Sequence, residues 1–378
     1  MKIGIVVLFI NSFGKKGLYN SQEVGLAKAL SRRGHIVTVY KCVEKKEKES
    51  CEILSEGIEY KCIPVNKIGN NAITDFAFLD KALDMIFCFT DIQLYTNKLY
   101  KWAVKNEVVM LPYVGITEST SSNQLVRFIM NANTKRVFRL YDKIGVFAKT
   151  KSVMDRLQNH KVQCVQIAPV GLDFDLLYSE YRKEDVCKIK KLLNLTQEHK
   201  YVLLVGRIES DRNPLDGVEV FEKLVSESSK FRLLVIGTGS LRENLKRELK
   251  KKKLLSRTIF IEKVPNNKMW MYYRIADRLI SFSRTEVFGM SILEAMYYEC
   301  PVYVVRAPGP NDIIIDKKNG YLFDSAERMA DSICDYDNMN EKIRSNEHMY
   351  IINNFGWDNT ASLIEKFYYK KRKVCKDK

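Results

Sequence analysis

The sequence predicts an α/β protein that consists of two doubly wound domains. Three observations lead to this prediction. At 378 residues the chain is too long for one ordinary doubly wound unit and long enough for two. Short apolar runs alternate with segments of helical periodicity, which is typical of parallel β-α units. The alternation is interrupted near residue 172 and then starts again, so we expect domains at 1–172 and 173–356.

Six apolar runs predict the strands of the first domain: residues 3–9, 36–40, 85–89, 108–113, 144–148 and 162–167. After the first run, SQEVGLAKALSRRG has helical periodicity, with Ser21 as its cap and Gly34 as its end. The run that follows Lys2 resembles a signal peptide, but no small-residue cleavage site comes after it. We therefore expect a buried first strand.

Five more apolar runs predict the strands of the second domain: residues 201–206, 232–237, 258–262, 278–283 and 301–305. A loop and helical sequence follow each of them, and beyond about residue 336 the chain is entirely helical in pattern. Because doubly wound sheets bind ligands at the carboxyl ends of their strands, the loops after these runs are the candidate binding segments.

Composition limits the classes of function. The net charge of +16 is divided between both halves of the chain, which indicates solvated faces more than a single nucleic-acid surface. Since no zinc knuckle, aromatic RNP-like strand or recognition helix stands out, we expect no nucleic-acid partner. Nine cysteines without a Cys-x-x-Cys pair predict a reducing, cytoplasmic location, and four isolated histidines predict no metal site. No cofactor is expected, and no apolar run of eighteen residues could cross a membrane.

Apart from the basic tail EKFYYKKRKVCKDK, a basic cluster stands out at residues 127–156. It interleaves eight cations with aromatic residues and contains only two acids, Asp142 and Asp155. The cations are Arg127, Lys135, Arg136, Arg139, Lys143, Lys149, Lys151 and Arg156. An amphipathic helix with a solvated lysine-rich face would explain the pattern. So would peripheral docking on anionic lipid at the inner face of a membrane, and both interpretations stay open.

Two arginines follow the first strand of the second domain. In VGRIESDRNP, Gly206 ends the strand, Arg207 comes next, and Arg212 precedes the following helix. Guanidinium groups bind phosphate oxygens in a fork, and a helix N-terminus adds amide donors. The segment therefore predicts a phosphate site. The alternative is a solvated loop in which the arginines pair with Glu209 and Asp211.

The next loop, in LLVIGTGSLRENL, contains the start of a dinucleotide fingerprint. Gly237 and Gly239 follow a strand, but Arg242 stands where the third glycine belongs. Glu262 lies at a suitable distance for an acid that binds ribose, so a nicotinamide site stays an alternative. The missing glycine favours a tight β-α turn.

The third candidate loop lies in SFSRTEVFGMSILEAM, where Glu286 and Glu294 flank a glycine that opens a helix. Backbone amides there can face a phosphate, namely those of Phe288, Gly289, Met290 and Ser291. A hydrolytic pair needs carboxyl groups about 5 to 9.5 Å apart, whereas eight helical residues span about 12 Å. Two clamps on ligand hydroxyls fit this spacing better than an acid/base pair. For Glu294, a capping or solvated glutamate is the alternative.

Together these motifs resemble glycosyltransferase family 4 (glycosyl transferases group 1), retaining enzymes of the GT-B fold with two Rossmann-like domains that face a central cleft. The resemblance covers most of the chain and is strongest over residues 200–323. VGRIESDRNP resembles the family's Gly-Arg segment, with Arg212 in the position of a lysine, and EVFGMSILEAM matches its Glu-x7-Glu motif. FGWDNTA resembles the start of a final helix, here about 357–372, which in this fold crosses back to the first domain.

The resemblance implies metal-independent transfer of a sugar from a nucleotide-sugar donor, first of all a UDP-sugar, to a glycan or lipid-linked acceptor. Synthesis of a cell-surface polysaccharide or glycoconjugate would be the setting. The first domain would bind the acceptor and the second the donor. Arg207 and Arg212 would bind the donor diphosphate, Glu286 the transferred sugar and Glu294 the ribose. Lys263 and Val264 would flank the base.

The first domain departs from the family pattern. Gly14 and Gly17 are the candidates for its glycine-rich loop, although the usual adjacent glycine pair is missing. Many members carry a histidine after the fourth or fifth strand, whereas this chain has MLPYVGITES, so Thr117 or Glu118 would take its place. A related two-Rossmann enzyme, such as a nucleotide-sugar epimerase or a sugar phosphorylase, is an alternative.

The spacing of Asp173 and Asp175 is one that many metal-dependent sugar transferases use. The resemblance assigns this stretch to the interdomain linker, so the spacing is expected to be coincidental.

Overall fold

The computed structural model describes residues 1–10, 21–91, 93–119, 123–335 and 340–376, and within them the chain forms two compact units. Unit 1 contains the described residues as far as Asp173 together with those from Gly356 onward. Unit 2 is Phe174–Phe355.

Unit 1 is built on a single sheet, in which nine strands lie within the described residues. They are β1 (Lys2–Val7), β2 (Ile36–Glu44), β3 (Ser50–Ser55), β4 (Ile58–Ile68), β5 (Asn71–Ile73), β6 (Met85–Phe89), β7 (Val109–Val114), β8 (Val146–Ala148) and β9 (Val165–Ile167). Their order is β3-β4-β2-β1-β6-β7-β8-β9, with β5 paired to β4. The strand order reverses at β1, which pairs in parallel with both β2 and β6.

All six runs predicted in the first half form strands, whereas β3, β4 and β5 were not predicted. The edge strand β3 pairs antiparallel with β4, and only Leu54 among its residues is not fully exposed. An edge strand that buries neither face has no apolar alternation. This explains why the sequence pattern did not indicate β3.

The helices of unit 1 are α1 (Gln22–Arg32), α2 (Thr96–Lys105), α3 (Gln124–Ile144), α4 (Lys151–Asn159) and the C-terminal α13 (Trp357–Lys376). Helix α1 begins directly after Ser21, although the Ser21 side chain makes no cap hydrogen bond. Gly34 follows its end with a φ of +82°, a conformation that suits glycine.

Helix α13 packs on α1, so the end of the chain is part of unit 1. Trp357 is buried against two glycines: an added Cβ on Gly25 would lie 2.4 Å from Trp357 Nε1, and one on Gly171 would lie 2.4 Å from its backbone nitrogen. The Thr360 hydroxyl donates to the carbonyl of Pro169 at 2.8 Å. These contacts require small residues at positions 25 and 171, since Trp357 fills the space above both.

Unit 2 is built on a parallel sheet of six strands within the described residues. They are β10 (Lys200–Val205), β11 (Phe231–Ile236), β12 (Thr258–Ile261), β13 (Ala276–Ser281), β14 (Val302–Val305) and β15 (Tyr321–Phe323). Their order is β12-β11-β10-β13-β14-β15. The five predicted runs are all strands, and β15 was not predicted. Because the order reverses between β10 and β13, this pair marks the topological switch point, where doubly wound sheets bind their ligands.

Eight helices of unit 2 lie within the described residues. They are α5 (Val186–Leu192), α6 (Asp216–Glu227), α7 (Arg242–Lys251), α8 (Asn266–Ile275), α9 (Met290–Tyr297), α10 (Pro308–Ile313), α11 (Ala326–Ser332) and α12 (Asn340–Asn354). The core that holds the switch point in place includes Val202 of β10, Val235 of β11 and Ile280 of β13, all buried.

Candidate functional site

The two arginines predicted for a phosphate site meet Glu286, which was predicted to bind the transferred sugar, in one pocket of unit 2. The loops after β10 and β13 form it, at the switch point of the sheet. Its lining residues are Leu204, Val205, Gly206, Arg207, Ile208, Arg212, Pro214, Ser281, Phe282, Glu286 and Ser291. The loop that follows β10 and the first turn of helix α9 are thus brought together from positions more than seventy residues apart in the chain.

The side chains of this pocket form a charged chain. Arg207 donates to Asp211 at 2.6 Å, and the Arg212 guanidinium pairs with the Glu286 carboxylate. Arg212 Nε also lies 3.9 Å from the Asp211 carboxylate. Of the two acids offered by the solvated-loop alternative, Asp211 therefore contacts the arginines, whereas Glu209 accepts hydrogen bonds from Ser240.

Arg212 is the most buried cation of the pocket. Its Nε is inaccessible to solvent and has no hydrogen-bond acceptor among the described residues. Burial lowers the pKa of Arg212 below its ordinary value, but an arginine stays protonated at neutral pH because its ordinary pKa is above about 12. The loop therefore holds a permanent positive charge with unused donor capacity.

Three side chains hold the β10 loop against the β13 loop. The hydroxyls of Ser283 and Thr285 donate to the carbonyl of Asp211 at 3.0 and 3.3 Å. Asn213 adopts a left-handed conformation, with a φ of +45°, and its side chain donates to the carbonyl of Phe282 at 3.3 Å. These bonds fix the distance between the arginines and Glu286.

Helix α9 begins directly after the β13 loop. Gly289 has a φ of +98°, and its carbonyl accepts from the amides of Ile292 and Leu293. A helix cannot satisfy its own first amides, which leaves those of Met290 and Ser291 directed away from the helix. Ser291 also lines the pocket. The first turn of α9 can therefore donate to an anion placed beside the arginines.

Helix α10 supports the same loop from behind. The amide of Gly309 donates to the carbonyl of Glu286 at 2.8 Å, and an added Cβ on Gly309 would lie 2.4 Å from the carbonyl oxygen of Phe288. Only glycine permits this approach of two backbones. The Phe288 side chain is buried, and its amide, which the sequence predicted to face a phosphate, instead donates to the Glu286 carboxylate at 3.4 Å.

Glu294 has a different environment from Glu286. It is 9% exposed and accepts a hydrogen bond from the hydroxyl of Tyr273 at 3.0 Å. Burial, and then the neighbouring Glu294 carboxylate, raises the pKa of Tyr273 well above its ordinary value, which keeps that tyrosine a proton donor. The two glutamates thus have separate partners, Arg212 and Tyr273.

The glycine turn after β11 packs against the β10 loop. An added Cβ on Gly239 would lie 2.2 Å from the carbonyl oxygen of Ile208, and one on Gly237 would lie 1.9 Å from that of Gly206. Close contact between backbones therefore explains both glycines. Arg242, which replaces the third glycine of the fingerprint, pairs with Glu262 at 2.8 Å.

The remaining predicted residues of unit 2, Lys263 and Val264, lie in the short loop between β12 and α8. Lys263 is exposed and Val264 is half-buried. This loop is at the carboxyl edge of the sheet, as is the β10 loop, with the β11 loop between them.

The candidates in unit 1 are more scattered. Thr117, in the loop after β7, is buried, whereas Glu118 is exposed and pairs with Arg156 at 3.0 Å. Gly14 and Gly17 lie outside the described residues. No feature of the described structure joins Thr117 and Glu118 into one pocket.

The pair Asp173 and Asp175 was expected not to bind a metal. The Asp173 carboxylate accepts from Lys28 at 2.8 Å, and Asp175 lies in a short 3₁₀ turn at Phe174–Leu176. In the described part of the chain, no group of three or more His, Cys, Asp or Glu residues is arranged to hold a metal ion.

Lys149 is a residue that the sequence interpretation did not single out beyond its place in the basic segment. It follows β8, and its stem crosses Gly115, where an added Cβ would lie 2.6 Å from Lys149 Cδ. Its ammonium lies 5.5 Å from the Phe89 ring centroid and 5.1 Å from that of Tyr113. In the sequence, the observation that could have pointed to Lys149 is its position directly after a predicted strand.

Comparisons with known proteins agree with this architecture. Residues 186–365 match the family described as "Glycosyl transferases group 1". The alpha-monoglucosyldiacylglycerol synthase of Streptococcus pneumoniae (strain ATCC BAA-255 / R6) is 28% identical over 235 residues, which cover 61% of this chain and 52% of that protein. The alignment thus spans about half the length of this curated relative.

Solved structures resemble the whole chain. Sucrose-phosphate synthase from Thermosynechococcus elongatus has a TM-score of 0.73 at 16% identity, and the match covers 99% of this chain and 100% of that one. Anabaena HepE, in complex with UDP and glucose, has a TM-score of 0.69 at 14% identity over 97% and 99% of the two chains. The fold of this chain is GT-B, as expected from its sequence.

Proposed function

We propose that this chain is a retaining, metal-independent glycosyltransferase that uses a nucleotide-sugar donor, with a UDP-sugar as the first candidate. The acceptor would be a glycan or a lipid-linked sugar of a cell-surface polysaccharide or glycoconjugate. The observation that carries the proposal is the meeting of Arg207, Arg212, Glu286 and the first turn of α9 at the switch point of unit 2. Unit 2 would bind the donor and unit 1 the acceptor.

The chemistry needed for sugar transfer suits these groups. As the bond between the sugar and the diphosphate breaks, negative charge develops on the diphosphate. Arg207, Arg212 and the amides of Met290 and Ser291 would stabilise that charge. The main chains of Gly206, Phe288 and Gly289 shape the space around it.

The pairing of Arg212 with Glu286 suggests an order of events at the site. A diphosphate would compete with Glu286 for the guanidinium. Glu286, once released, would accept hydrogen bonds from hydroxyls of the transferred sugar and orient its ring. This position next to the sugar is why Glu286 is assigned to the reacting part of the donor.

The nucleotide would extend from the diphosphate along the carboxyl edge of the sheet. Glu294, oriented by Tyr273, would bind the ribose, and Lys263 and Val264 would flank the base. HepE, a protein of the same fold, has been solved with UDP and glucose. This supports UDP as the first nucleotide to test.

The acceptor assignment depends on the relatives. The S. pneumoniae relative is named a synthase of a glucosyldiacylglycerol lipid, which supports a lipid-linked acceptor here as well. In unit 1 the acceptor-side candidates are Thr117 and Glu118, with Gly14 and Gly17 outside the described residues. Lys149 joins them because its ammonium has only aromatic rings as described partners.

Two other functions predict different products. An epimerase would convert the nucleotide sugar without any acceptor, and a phosphorylase would need inorganic phosphate. A nucleic-acid-binding protein would bind oligonucleotides with a steep salt dependence and would not be stabilised by nucleotide sugars. Product analysis with and without acceptor separates the first two from transfer.

The test begins with a panel of UDP-, GDP- and dTDP-sugars, in which the donor is identified by thermal stabilisation of the protein. Turnover of that donor is then measured for Arg207→Ala, Arg212→Ala and Glu286→Ala. We expect kcat to fall on the order of a hundredfold for each arginine, as for loss of a preorganised donor to developing charge. Arg247→Ala on the exposed face of α7 is the matched control. Unchanged turnover in all three site variants would contradict the proposal.

A further inference from the structure

Unit 2 has a second polar pocket, at the edge of its sheet opposite to the candidate site. It lies where β10 and β11 begin, and its volume is about 390 Å³. We call it the basic pocket and define it by its lining residues: Glu198, His199, Ser229, Lys230, Arg232 and Arg257. None of these residues was assigned a role from the sequence.

The two arginines of the basic pocket converge on one neutral group. Arg232 Nη1 donates to the carbonyls of Ser229 and Phe231, at 2.8 Å each. Arg257 Nη1 donates to the same Ser229 carbonyl at 2.6 Å. Among the described residues, neither guanidinium has a carboxylate within ion-pair distance. Two permanent positive charges are therefore held side by side, and neither is paired with a carboxylate in the described part of the chain.

Neighbouring groups add to this positive charge. Lys190 donates to the carbonyls of Gln197 and His199 at 2.8 and 2.9 Å, so its ammonium is also bound only to neutral acceptors. Lys230 is exposed at the rim. The acids that act on the cluster are the exposed Glu198 and, for Lys190, Asp277, whose carboxylate pairs with Arg278.

The positive charge of the basic pocket contributes to shifts in the pKa values of Arg232 and His199. Burial, followed by Arg257, lowers the pKa of Arg232. Burial also lowers the pKa of His199, and Arg232, Lys190 and Arg257 act in the same direction, whereas Glu198 opposes them. Bringing like charges together without an opposite charge is unfavourable, and an anion in the pocket would remove that repulsion.

We propose that the basic pocket binds a phosphate group, carried either by a small phosphorylated molecule or by a phospholipid headgroup. Two guanidinium forks offer the planar, paired donors that phosphate oxygens accept, and His199 and Lys230 line the same space. A single carboxylate would leave most of this positive charge uncompensated. The proposal is independent of the sugar-transfer function, since it uses no residue of the candidate active site.

The first arm of the test uses inorganic phosphate and the full chain. The pKa of His199 is measured by NMR with and without phosphate, at ionic strength matched with sodium chloride. A bound anion favours the imidazolium, so we expect phosphate to raise the pKa of His199. In Arg232→Gln/Arg257→Gln the affinity for phosphate should fall at least tenfold. Arg247→Gln, which removes a guanidinium from α7, should leave both quantities unchanged.

The second arm uses vesicles of phosphatidylcholine with and without phosphatidic acid. If a headgroup is the source of the phosphate, vesicles with phosphatidic acid will raise the pKa of His199 more than inorganic phosphate does. If a small molecule is the source, only free phosphate will. The double variant should unfold at a temperature near that of the unaltered protein, which excludes misfolding. A His199 pKa that neither phosphate nor vesicles alter would overturn the proposal.

Discussion

At the residue scale, Arg212 makes contacts that involve several nitrogens of one guanidinium. Its guanidinium contacts Glu286 and approaches Asp211, and its Nε still has no acceptor among the described residues. In the family that the sequence resembles, a lysine stands at this position. A lysine would carry the charge on a single compact ammonium, without the planar fork of a guanidinium. Arginine can thus contact an acid and a phosphate with different nitrogens.

Glu347 is a fully buried acid. It lies on α12 with no solvent exposure. Burial raises its pKa well above the ordinary value, and the neighbouring Glu299 acts in the same direction, against the opposing effect of Arg344. The unfolded chain ionises this carboxyl near pH 4.5, whereas the folded chain keeps it protonated to a higher pH.

We therefore expect Glu347 to make the protein less stable as pH rises. Glu347 does not lower the free energy of unfolding at pH values below its unfolded pKa. As pH rises toward its folded pKa, the free energy of unfolding falls by about 1.4 kcal/mol for each unit that separates the two pKa values. Glu347→Gln should remove this loss, so the free energy of unfolding should depend less on pH as the pH rises above 4.5. Urea titrations at several pH values measure it.

The control for this prediction is Glu243→Gln on the exposed surface of α7, where Lys246 lowers the pKa of the carboxyl. That substitution should leave the decline of stability with rising pH in place. Equal pH slopes for Glu347→Gln and the unaltered protein would show that Glu347 ionises normally.

At the scale of elements, the contact between α1 and α13 depends on a glycine in the first turn of α1. Gly25 lowers the helix propensity of α1 by about 1 kcal/mol relative to alanine. The ring of Trp357 occupies the space where its side chain would be, with Nε1 2.4 Å and Cδ1 2.5 Å from an added Cβ. Tertiary packing therefore overrides the local preference.

We predict that Gly25→Ala destabilises unit 1 by about 1–3 kcal/mol, the usual cost of overpacking a core. In the background of Trp357→Ala, which creates a cavity, the same substitution should become stabilising by about 0.5–1 kcal/mol, because the steric conflict is gone and alanine favours the helix. Chemical denaturation of the four proteins of this double-mutant cycle provides the measurement. Additive effects would mean that residues 25 and 357 do not compete for space.

At the scale of the whole molecule, the exposed surface of helix α3 bears on whether the protein binds to a membrane. Its first two turns expose large apolar side chains, with Phe128 at 73% and Ile129 at 52%. Leu125 and Val126 are exposed beside them. Further along, Lys135, Arg136, Arg139 and Lys143 are exposed. No helix within the described residues is long and apolar enough to span a bilayer.

We infer that α3 docks peripherally on an anionic membrane, with the apolar tip inserted and the cations near the headgroups. Co-sedimentation with phosphatidylglycerol vesicles should fall about thirtyfold in Lys135→Ser/Arg139→Ser, since each cation contributes about 1 kcal/mol. Phe128→Ser/Ile129→Ser should reduce binding even in low salt.

Lys250→Ser/Lys251→Ser, at the end of α7, removes the same charge from another surface and serves as the control for membrane docking. If this control lost as much binding as the α3 variants, general positive charge would explain the attraction. Equal binding to neutral and anionic vesicles would remove the electrostatic part of the inference.

The sequence determined the two-unit α/β fold and the loops that form the candidate site, because both follow from local patterns. Apolar runs indicate buried strands, and glycines with arginines after a strand indicate a ligand loop. The strands without such a pattern, β3 and β5 among them, could not be found in this way. Neither could the role of Gly239, which depends on the carbonyl of Ile208 in another loop.

Tertiary structure decided which charges from different segments of the chain face each other. Glu286 and Glu294 belong to one motif in the sequence, yet one pairs with Arg212 and the other with Tyr273. Likewise, Arg232 and Arg257 are far apart in the chain and share the carbonyl of Ser229. The physical reason is that hydrophobic periodicity reports burial along one segment, whereas electrostatic partners are set by distances between segments, which exist only once the sheets are assembled.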